Sequence, residues 1–359
     1  MEALIAILPG DGIGPEIMRE GVRVLEAVAE SAGHRFELRE ALIGGAAIDA
    51  AGDGFPTETR AIVKEADVTL LGAVGGPRWS APNTPVRPEK GLLDLRAAMN
   101  VYANLRPVKT HPALYSASPL RPEYLIDVDI MVVRELTGGI YFGKKNRTAD
   151  EATDVCTYHR SEIERVVRMA ALFARERNGK VASIDKANVL ETSRLWRSVT
   201  DEMFREEFSD LELETMFVDA AAMHLLTRPG DFDVLVTENM FGDILTDEAS
   251  MLCGSLGMLP SASLNEDRRG LYEPIHGSAP DIAGQNIANP CATILSVAMM
   301  LRYTLALKEE AALIEQAVYA AIEAGYRTGD IAQADTRPVS TSTMGDQVIE
   351  QYRQLAKAI

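Results

Sequence analysis

Short apolar runs of strand length recur along this chain, separated by stretches with the three-to-four-residue periodicity of amphipathic helices. The runs are Ala3–Leu8, Asp67–Ala73, Asp129–Val133, Val181–Ile184, Leu211–Val218 and Asp233–Val236; helical patterning covers residues 14–31, the segment after Ser161, and residues 291–306 and 309–325. Parallel strands need long crossovers, which helices supply, so the alternation predicts an α/β fold with a largely parallel sheet. Ser161 and Glu164 have capping-box spacing, and Ile163, Val166, Val167 and Ala170 then share one apolar helical face. The stretch 75–91, with Gly75, Gly76, Pro77, Pro82, Pro85 and Pro88, predicts a long loop, either a lid or a crossover. At roughly 150 residues per domain, the 359 residues predict two domains. No linker marks a boundary, which suits domains that share the chain discontinuously.

Charge narrows the function. With 36 Lys+Arg against 53 Asp+Glu, the net charge is −17. That argues against the clustered basic face needed for nucleic acid or an anionic membrane, while leaving room for local pockets that bind small anions. Cys156, Cys253 and Cys291 are odd in number and far apart, with no CxxC spacing, so neither a disulfide framework nor a zinc finger is expected. Residues 1–10 lack a basic signal-peptide start and run straight into turn chemistry, and no apolar run approaches the ~20 residues of a membrane span. The expectation is a cytoplasmic enzyme.

Gly10-Asp-Gly12-Ile-Gly14 follows a strand and opens a helix, but its spacing is GxGxG where the dinucleotide fingerprint is GxGxxG. A tight turn with Pro15 in the first helical turn accounts for it, and a Rossmann domain is not expected. Arg96, Arg106 and Arg134 stand in or beside apolar segments, Arg134 at the carboxyl end of a strand, where open α/β sheets collect ligands. Each alone fits a surface ion pair. Three together in an acidic chain point to an anionic substrate, because guanidinium forks bind carboxylates in pairs. Asp243 and Asp247 are four apart in a strand–turn–helix segment, so a helix would aim both the same way. Their repulsion suits a hard cation such as Mg²⁺ or Mn²⁺, with Asp219 able to complete the set, although Asp243 also fits the helix dipole alone. Tyr141 among glycines and Lys186 after a strand fit either a ligand contact or ordinary packing.

Taken in order, Leu8-Pro-Gly-Asp-Gly-Ile-Gly-Pro-Glu16, Ala103-Asn-Leu-Arg-Pro107, Val133-Arg-Glu-Leu-Thr-Gly-Gly-Ile-Tyr-Phe-Gly143, Asp185-Lys-Ala-Asn188, Glu238-Asn-Met-Phe-Gly-Asp-Ile-Leu-Thr-Asp247 and Glu273-Pro-Ile-His-Gly-Ser-Ala-Pro-Asp-Ile-Ala-Gly284 span nearly the whole chain. This series resembles the isocitrate/isopropylmalate dehydrogenase family of β-decarboxylating dehydrogenases, most closely its isopropylmalate branch. The resemblance implies a two-domain fold with a shared mixed sheet, distinct from Rossmann. One domain would join 1–100 to 253–359 and bind cofactor; the other, 101–252, would carry metal and substrate residues and pair with a second subunit.

It also implies roles. Arg96, Arg106 and Arg134 would hold substrate carboxylates, while Asp219, Asp243 and Asp247 would bind Mg²⁺ or Mn²⁺. Lys186 and Asp219 would serve the neighbouring subunit's site in a homodimer, with Lys186 and Asp219 helping to remove the hydroxyl proton and Tyr141 protonating the product. His276, Gly277, Ser278, Ala279, Asp281, Ile282, Ala288 and Asn289 would hold the adenosine half of NAD, Asp281 favouring a ribose 2′-hydroxyl over a phosphate. NADP-using relatives carry Lys-Tyr where Asp281-Ile282 stands. Substrate choice would fall to Glu89, Leu92 and Leu93: in a helix, Leu92 lies four residues before Arg96, so apolar surface can meet a substituent on the same ligand, while Leu95 is expected in the core. Tartrate/D-malate, homoisocitrate and isocitrate dehydrogenases share this machinery. A non-catalytic regulatory relative would lack some of these residues, and none is missing here.

Overall fold

The computed structural model describes residues 1–81, 84–267, 269–333 and 337–358. The chain forms two compact units, Met1–Val101 with Gly254–Ile359, and Tyr102–Cys253. The second unit begins and ends one residue later than the expected 101–252.

Along the first unit run β1 (Glu2–Gly10), α1 (Gly14–Ala32), β2 (Arg35–Glu40), α2 (Gly44–Ala51), α3 (Thr57–Glu65), β3 (Val68–Ala73) and α4 (Pro88–Met99). The second unit holds β4 (Ala103–Lys109), β5 (Asp129–Glu135), β6 (Lys145–Arg147), β7 (Ala152–Asp154), α5 (Arg160–Arg175), β8 (Lys180–Asp185), α6 (Glu191–Glu206), β9 (Glu212–Phe217), α7 (Val218–Thr227), β10 (Val234–Thr237) and α8 (Asn239–Ser250). The first unit then resumes with β11 (Pro260–Leu264), β12 (Gly270–Pro274), α9 (Cys291–Tyr303), α10 (Lys308–Glu323) and α11 (Thr341–Ala356). The fold is α/β, and each of the six predicted runs contains a strand.

In the first unit the strand order is β2-β1-β3-β12-β11, parallel except for the β11–β12 pair. Helix α9 is buried all round from Cys291 to Leu301, as an apolar helix in the centre of a core must be. In the second unit the order is β4-β5-β10-β8-β9, parallel except for β4–β5. Strands β5, β8 and β10 are buried almost throughout, the pattern of strands covered on both faces. Strands β6 and β7 form a separate two-stranded arm, all of whose residues are exposed.

The turn after β1 is structural. Asp11 is buried, and its carboxylate accepts the backbone N–H groups of Gly45, Ala46 and Gly75, each at 2.8 Å. A side chain on Gly10 (φ 74°) would meet the Ala73 carbonyl at 1.9 Å, which is why glycine stands there.

Two local expectations need correction. Helix α5 starts before Ser161: Glu162, not Glu164, reaches back, accepting the His159 N–H at 2.7 Å. Its apolar face is as predicted, with Ile163, Val166, Val167 and Ala170 fully buried. The stretch 75–91 is not all loop, because Pro88 opens α4; a proline's fixed φ and missing N–H cost nothing in a first helical turn. Pro82, part of that predicted loop, lies outside the described residues.

Candidate active site

Strand alternation builds the centre of the site. Asn104 and Arg106 are two apart on β4 and so share a face, and Arg134 on β5 is the register partner of Asn104. All three are buried, Arg106 at 5% and Arg134 at 2% exposure. Cations at such depth need fixed partners. Arg106 donates Nε to Asn104 Oδ1 at 2.7 Å and Nη1 to Thr246 Oγ1 at 2.5 Å. Arg134 donates to Asn239 Oδ1 and forms an ion pair with Asp243.

Helix α8 supplies the acids. Its N-terminus is capped by Glu238, whose Oε1 accepts the Phe241 N–H at 2.7 Å. Asp243 and Asp247 follow one turn apart, with Arg106 lying 3.7 Å from Asp243 and 3.9 Å from Asp247. Burial would raise the Asp243 carboxyl, but the Arg134 and Arg106 guanidinium groups outweigh it and hold the group below the usual carboxylate range. Asp247 goes the other way: burial and the charge of Asp243 raise it against the pull of Arg106. Tyr141, on the short 3₁₀ turn Gly139–Tyr141, donates its hydroxyl to Asp243 Oδ2 at 2.9 Å. Burial first, then the Asp243 charge, push its phenol up to about 12, so it stays protonated and able to donate. Arg106, Arg134, Tyr141, Asp243 and Asp247 are thus brought together.

Lys186 and Asp219 form a second group. Lys186, just past β8, donates Nζ to Asp219 Oδ1 at 2.5 Å, and this hydrogen bond lowers the Asp219 carboxyl. Asp219 is not joined to Asp243 and Asp247: among the described residues, no three His, Cys, Asp or Glu side chains are grouped as a metal ion would need. The carboxylate pair on α8 nevertheless has the hard oxygen chemistry that a divalent cation suits.

The first unit carries the other predicted residues. Arg96 on α4 donates Nη2 to the buried Glu273 at 2.7 Å, and its Nε is buried without a partner among the described residues. Leu92 and Leu93 are half-buried, unlike Leu95, which is fully buried, so both keep surface that a ligand can reach. Glu89 is exposed in the first turn of α4. In the loop after β12, the Ser278 carbonyl accepts the Ile13 N–H at 2.8 Å, and Ala279, Ile282 and Ala283 pack on Ile13, Ile17 and Ala288. Ala279 is held at φ 36°, a strained conformation for a residue with a Cβ. Asp281 and Gly277 are exposed, whereas His276 Nε2 is buried with no partner among the described residues, and burial lowers the imidazole pKa. An orphaned ring nitrogen, an exposed carboxylate and open backbone within one loop fit a ribose and adenine. Asn289 instead fastens the start of α9, its side chain bonding Asp330 at 3.0 Å and the Cys291 N–H at 3.0 Å.

Sequence reasoning overlooked Asn239 and Gly242. A Cβ on Gly242 would lie 2.3 Å from Thr237 Oγ1 and 2.7 Å from Arg134 Cγ, so Arg134 needs a glycine in this helix. A glycine inside a helix costs about 1 kcal/mol relative to alanine, and that anomaly was the available signal.

A family profile described as isocitrate/isopropylmalate dehydrogenase matches residues 4–348. A 3-isopropylmalate dehydrogenase of Heyndrickxia coagulans is 53% identical over 99% of this chain and 98% of its own length. One from Carboxydothermus hydrogenoformans is 56% identical over 97% and 94%. Among solved structures, isocitrate dehydrogenase from Methylococcus capsulatus superposes with a TM-score of 0.87 at 35% identity, covering 98% of this chain and 100% of that one.

Proposed function

The chain belongs to the isocitrate/isopropylmalate dehydrogenase family, and from that premise we propose that it oxidises and decarboxylates 3-isopropylmalate to 4-methyl-2-oxopentanoate, a step of leucine biosynthesis, with NAD⁺ and Mg²⁺ or Mn²⁺. The observation that carries this reading is identity above half, over nearly the full length, to dehydrogenases named for that substrate. The deciding experiment is a steady-state assay offering isopropylmalate, malate, tartrate, homoisocitrate and isocitrate side by side, with NADH followed at 340 nm. Preference for any substrate other than isopropylmalate would transfer the enzyme to another branch of the family, and inactivity on all would favour a regulatory subunit.

When bound, NAD⁺ accepts the hydride and the cation polarises the substrate's C2 oxygen. The chain does the rest. Arg96, Arg106 and Arg134 grip the substrate carboxylates and hold the one that leaves. Lys186 and Asp219, joined by a hydrogen bond, act together in removing the hydroxyl proton. Tyr141, kept protonated, returns a proton to carbon once carbon dioxide has left. Asp243 and Asp247 hold the cation, and Asp219 would complete its shell from a second subunit.

That assignment to a homodimer has physical support. Helices α7 and α8 pack together and expose Met223 at 60%, Leu226 at 37% and Ile244 at 61%. Apolar groups that wet mark a protein interface, and Asp219 opens α7 on that surface. Mixing Lys186→Ala with Tyr141→Phe subunits, each nearly inactive alone, is expected to restore activity. A statistical mixture gives about half heterodimers, each with one intact site, so recovery should approach a quarter of wild-type. No recovery after verified subunit exchange would remove the shared site.

The substituent pocket gives another expectation. Leu92→Ser with Leu93→Ala should lower kcat/KM for isopropylmalate about ten- to a hundredfold more than for malate, because each lost apolar contact is worth ~1–3 kcal/mol. Equal losses, with circular dichroism unchanged, would refute the pocket. Among the described residues no helix is long and apolar enough to cross a membrane; cytoplasmic residence accords with three free cysteines, two of them buried.

A further inference from the structure

Asn239, the first residue of α8, has no role in the chemistry above, yet it is 1% exposed and both ends of its side-chain amide are used. Its carbonyl oxygen accepts one edge of the Arg134 guanidinium, Nε at 3.1 Å and Nη2 at 2.8 Å. Its amino group donates to the Gly138 carbonyl at 3.1 Å. The amide can face only one way, because guanidinium donates and a carbonyl accepts. Gly138 begins the short turn that ends in Tyr141. One side chain therefore links the arginine to the tyrosine's backbone.

The surroundings make that link stiff. The Asn239 N–H donates to Tyr158 Oη at 2.9 Å, and Tyr158 donates to Glu238 Oε2 at 3.1 Å. The Tyr158 side chain lies against the turn so closely that a Cβ on Gly138 would come within 2.8 Å of its ring and one on Gly139 within 2.5 Å of its hydroxyl oxygen. Tyr158 supports the turn from below while Asn239 ties its first carbonyl. Tyr141 and Arg134 converge on the same carboxylate, Asp243, from the two ends of this link.

We propose that Asn239 is a positioning residue that holds the guanidinium of Arg134 and the turn bearing Tyr141 as one rigid group, keeping the phenol in line with the carbon it protonates. This rests on the function proposed above. Its consequence is specific: Asn239 should matter to catalysis through Tyr141, and much less once Tyr141 has lost its hydroxyl. Misplacing a reacting group by about 1 Å can cost roughly a hundredfold.

The test uses Asn239→Ala and Asn239→Asp, each alone and combined with Tyr141→Phe, measured by steady-state kinetics and amide hydrogen exchange across residues 138–142. Asn239→Ala should lower kcat about a hundredfold with a smaller change in KM, and should speed exchange in that segment. On the Tyr141→Phe background the same change should cost less than about tenfold, since coupled residues are not additive. Asn239→Asp keeps acceptors for Arg134 but sets a carboxylate against the Gly138 carbonyl. It should speed the same exchange and also raise KM by neutralising Arg134. It is nearly isosteric and supplies the readings if the alanine variant fails to fold. Equal losses on both backgrounds, or unchanged exchange, would overturn the proposal. If the wild-type turns over none of the malates, the proposed function fails, while the exchange measurement still passes judgement on the link.

Discussion

Asp243→Asn is expected to remove activity and stability together, whereas Asp247→Asn removes activity alone. Asp243 is paired with Arg134, lies 3.7 Å from Arg106 and accepts the Tyr141 hydroxyl at 2.9 Å. The two arginine side chains are 3% and 7% exposed. Taking the charge from Asp243 removes the carboxylate paired with Arg134 and the nearer of the two acids beside Arg106, with both guanidinium groups held away from water. Breaking a fully buried pair costs ~3–5 kcal/mol, and because Asp243 is itself partly wet a loss of about 2 kcal/mol is expected. Asp247 is 64% exposed and reaches Arg106 only at 3.9 Å, so neutralising it should cost less than about 0.5 kcal/mol. If Asp243 and Asp247 hold the cation as proposed, both variants forfeit a charged oxygen ligand, and kcat/KM should fall by more than about a hundredfold. High Mn²⁺ should partly restore Asp247→Asn. Thermal unfolding without added metal, beside NADH production at graded Mn²⁺, separates the two effects. Wild-type turnover by Asp247→Asn in trace metal would take that residue out of the cation site.

The cofactor loop offers the second large effect. Asp281→Lys with Ile282→Tyr is expected to move the NADP⁺/NAD⁺ ratio of kcat/KM upward by at least about a hundredfold. A carboxylate repels the extra phosphate of NADP⁺ and accepts a ribose hydroxyl, and lysine reverses both preferences. Asp281 is exposed, so the exchange of charge there disturbs no packing. Ile282 packs on Ile13, Ile17 and Ala288, and the larger ring must turn outward, so a modest loss of thermal stability should accompany the switch. The single Asp281→Lys variant isolates the charge from the packing. An unmoved ratio in both would mean that the loop does not read the 2′ position.

Much of the fold and of the site is legible in the residues alone. Periodicity located the strand that carries Arg134, because alternation and burial are written into local sequence, while Arg106 was placed only by its apolar neighbours. Four-residue spacing brought Asp243 and Asp247 to one helical face, and the ordered motifs named the family. Two short-range errors had short-range causes. The box at Ser161 competed with Glu162, which sits at the same spacing from His159. The prolines of 75–91 signalled loop, although one of them starts a helix.

What remained was of another kind. Asn239 meets Arg134 across 105 residues and Gly138 across 101, and no local pattern encodes which polar side chain finishes such a contact. Gly242 matters because Arg134 crosses the helix at that point, a fact of packing between segments. The sequence offered Asp219 as a third acid beside Asp243 and Asp247; within one chain it pairs with Lys186, and the proposed function has it serve the site of a second subunit. By itself, then, the sequence determined the order of elements, the chemical kinds of side chain at the site and the family, since these depend on residue type and on spacing along one element. Only the tertiary structure decided which arginine each acid neutralises, which residue ties Tyr141 down and which acid stands apart. Those are distances between segments remote in sequence, set by close packing of the whole core.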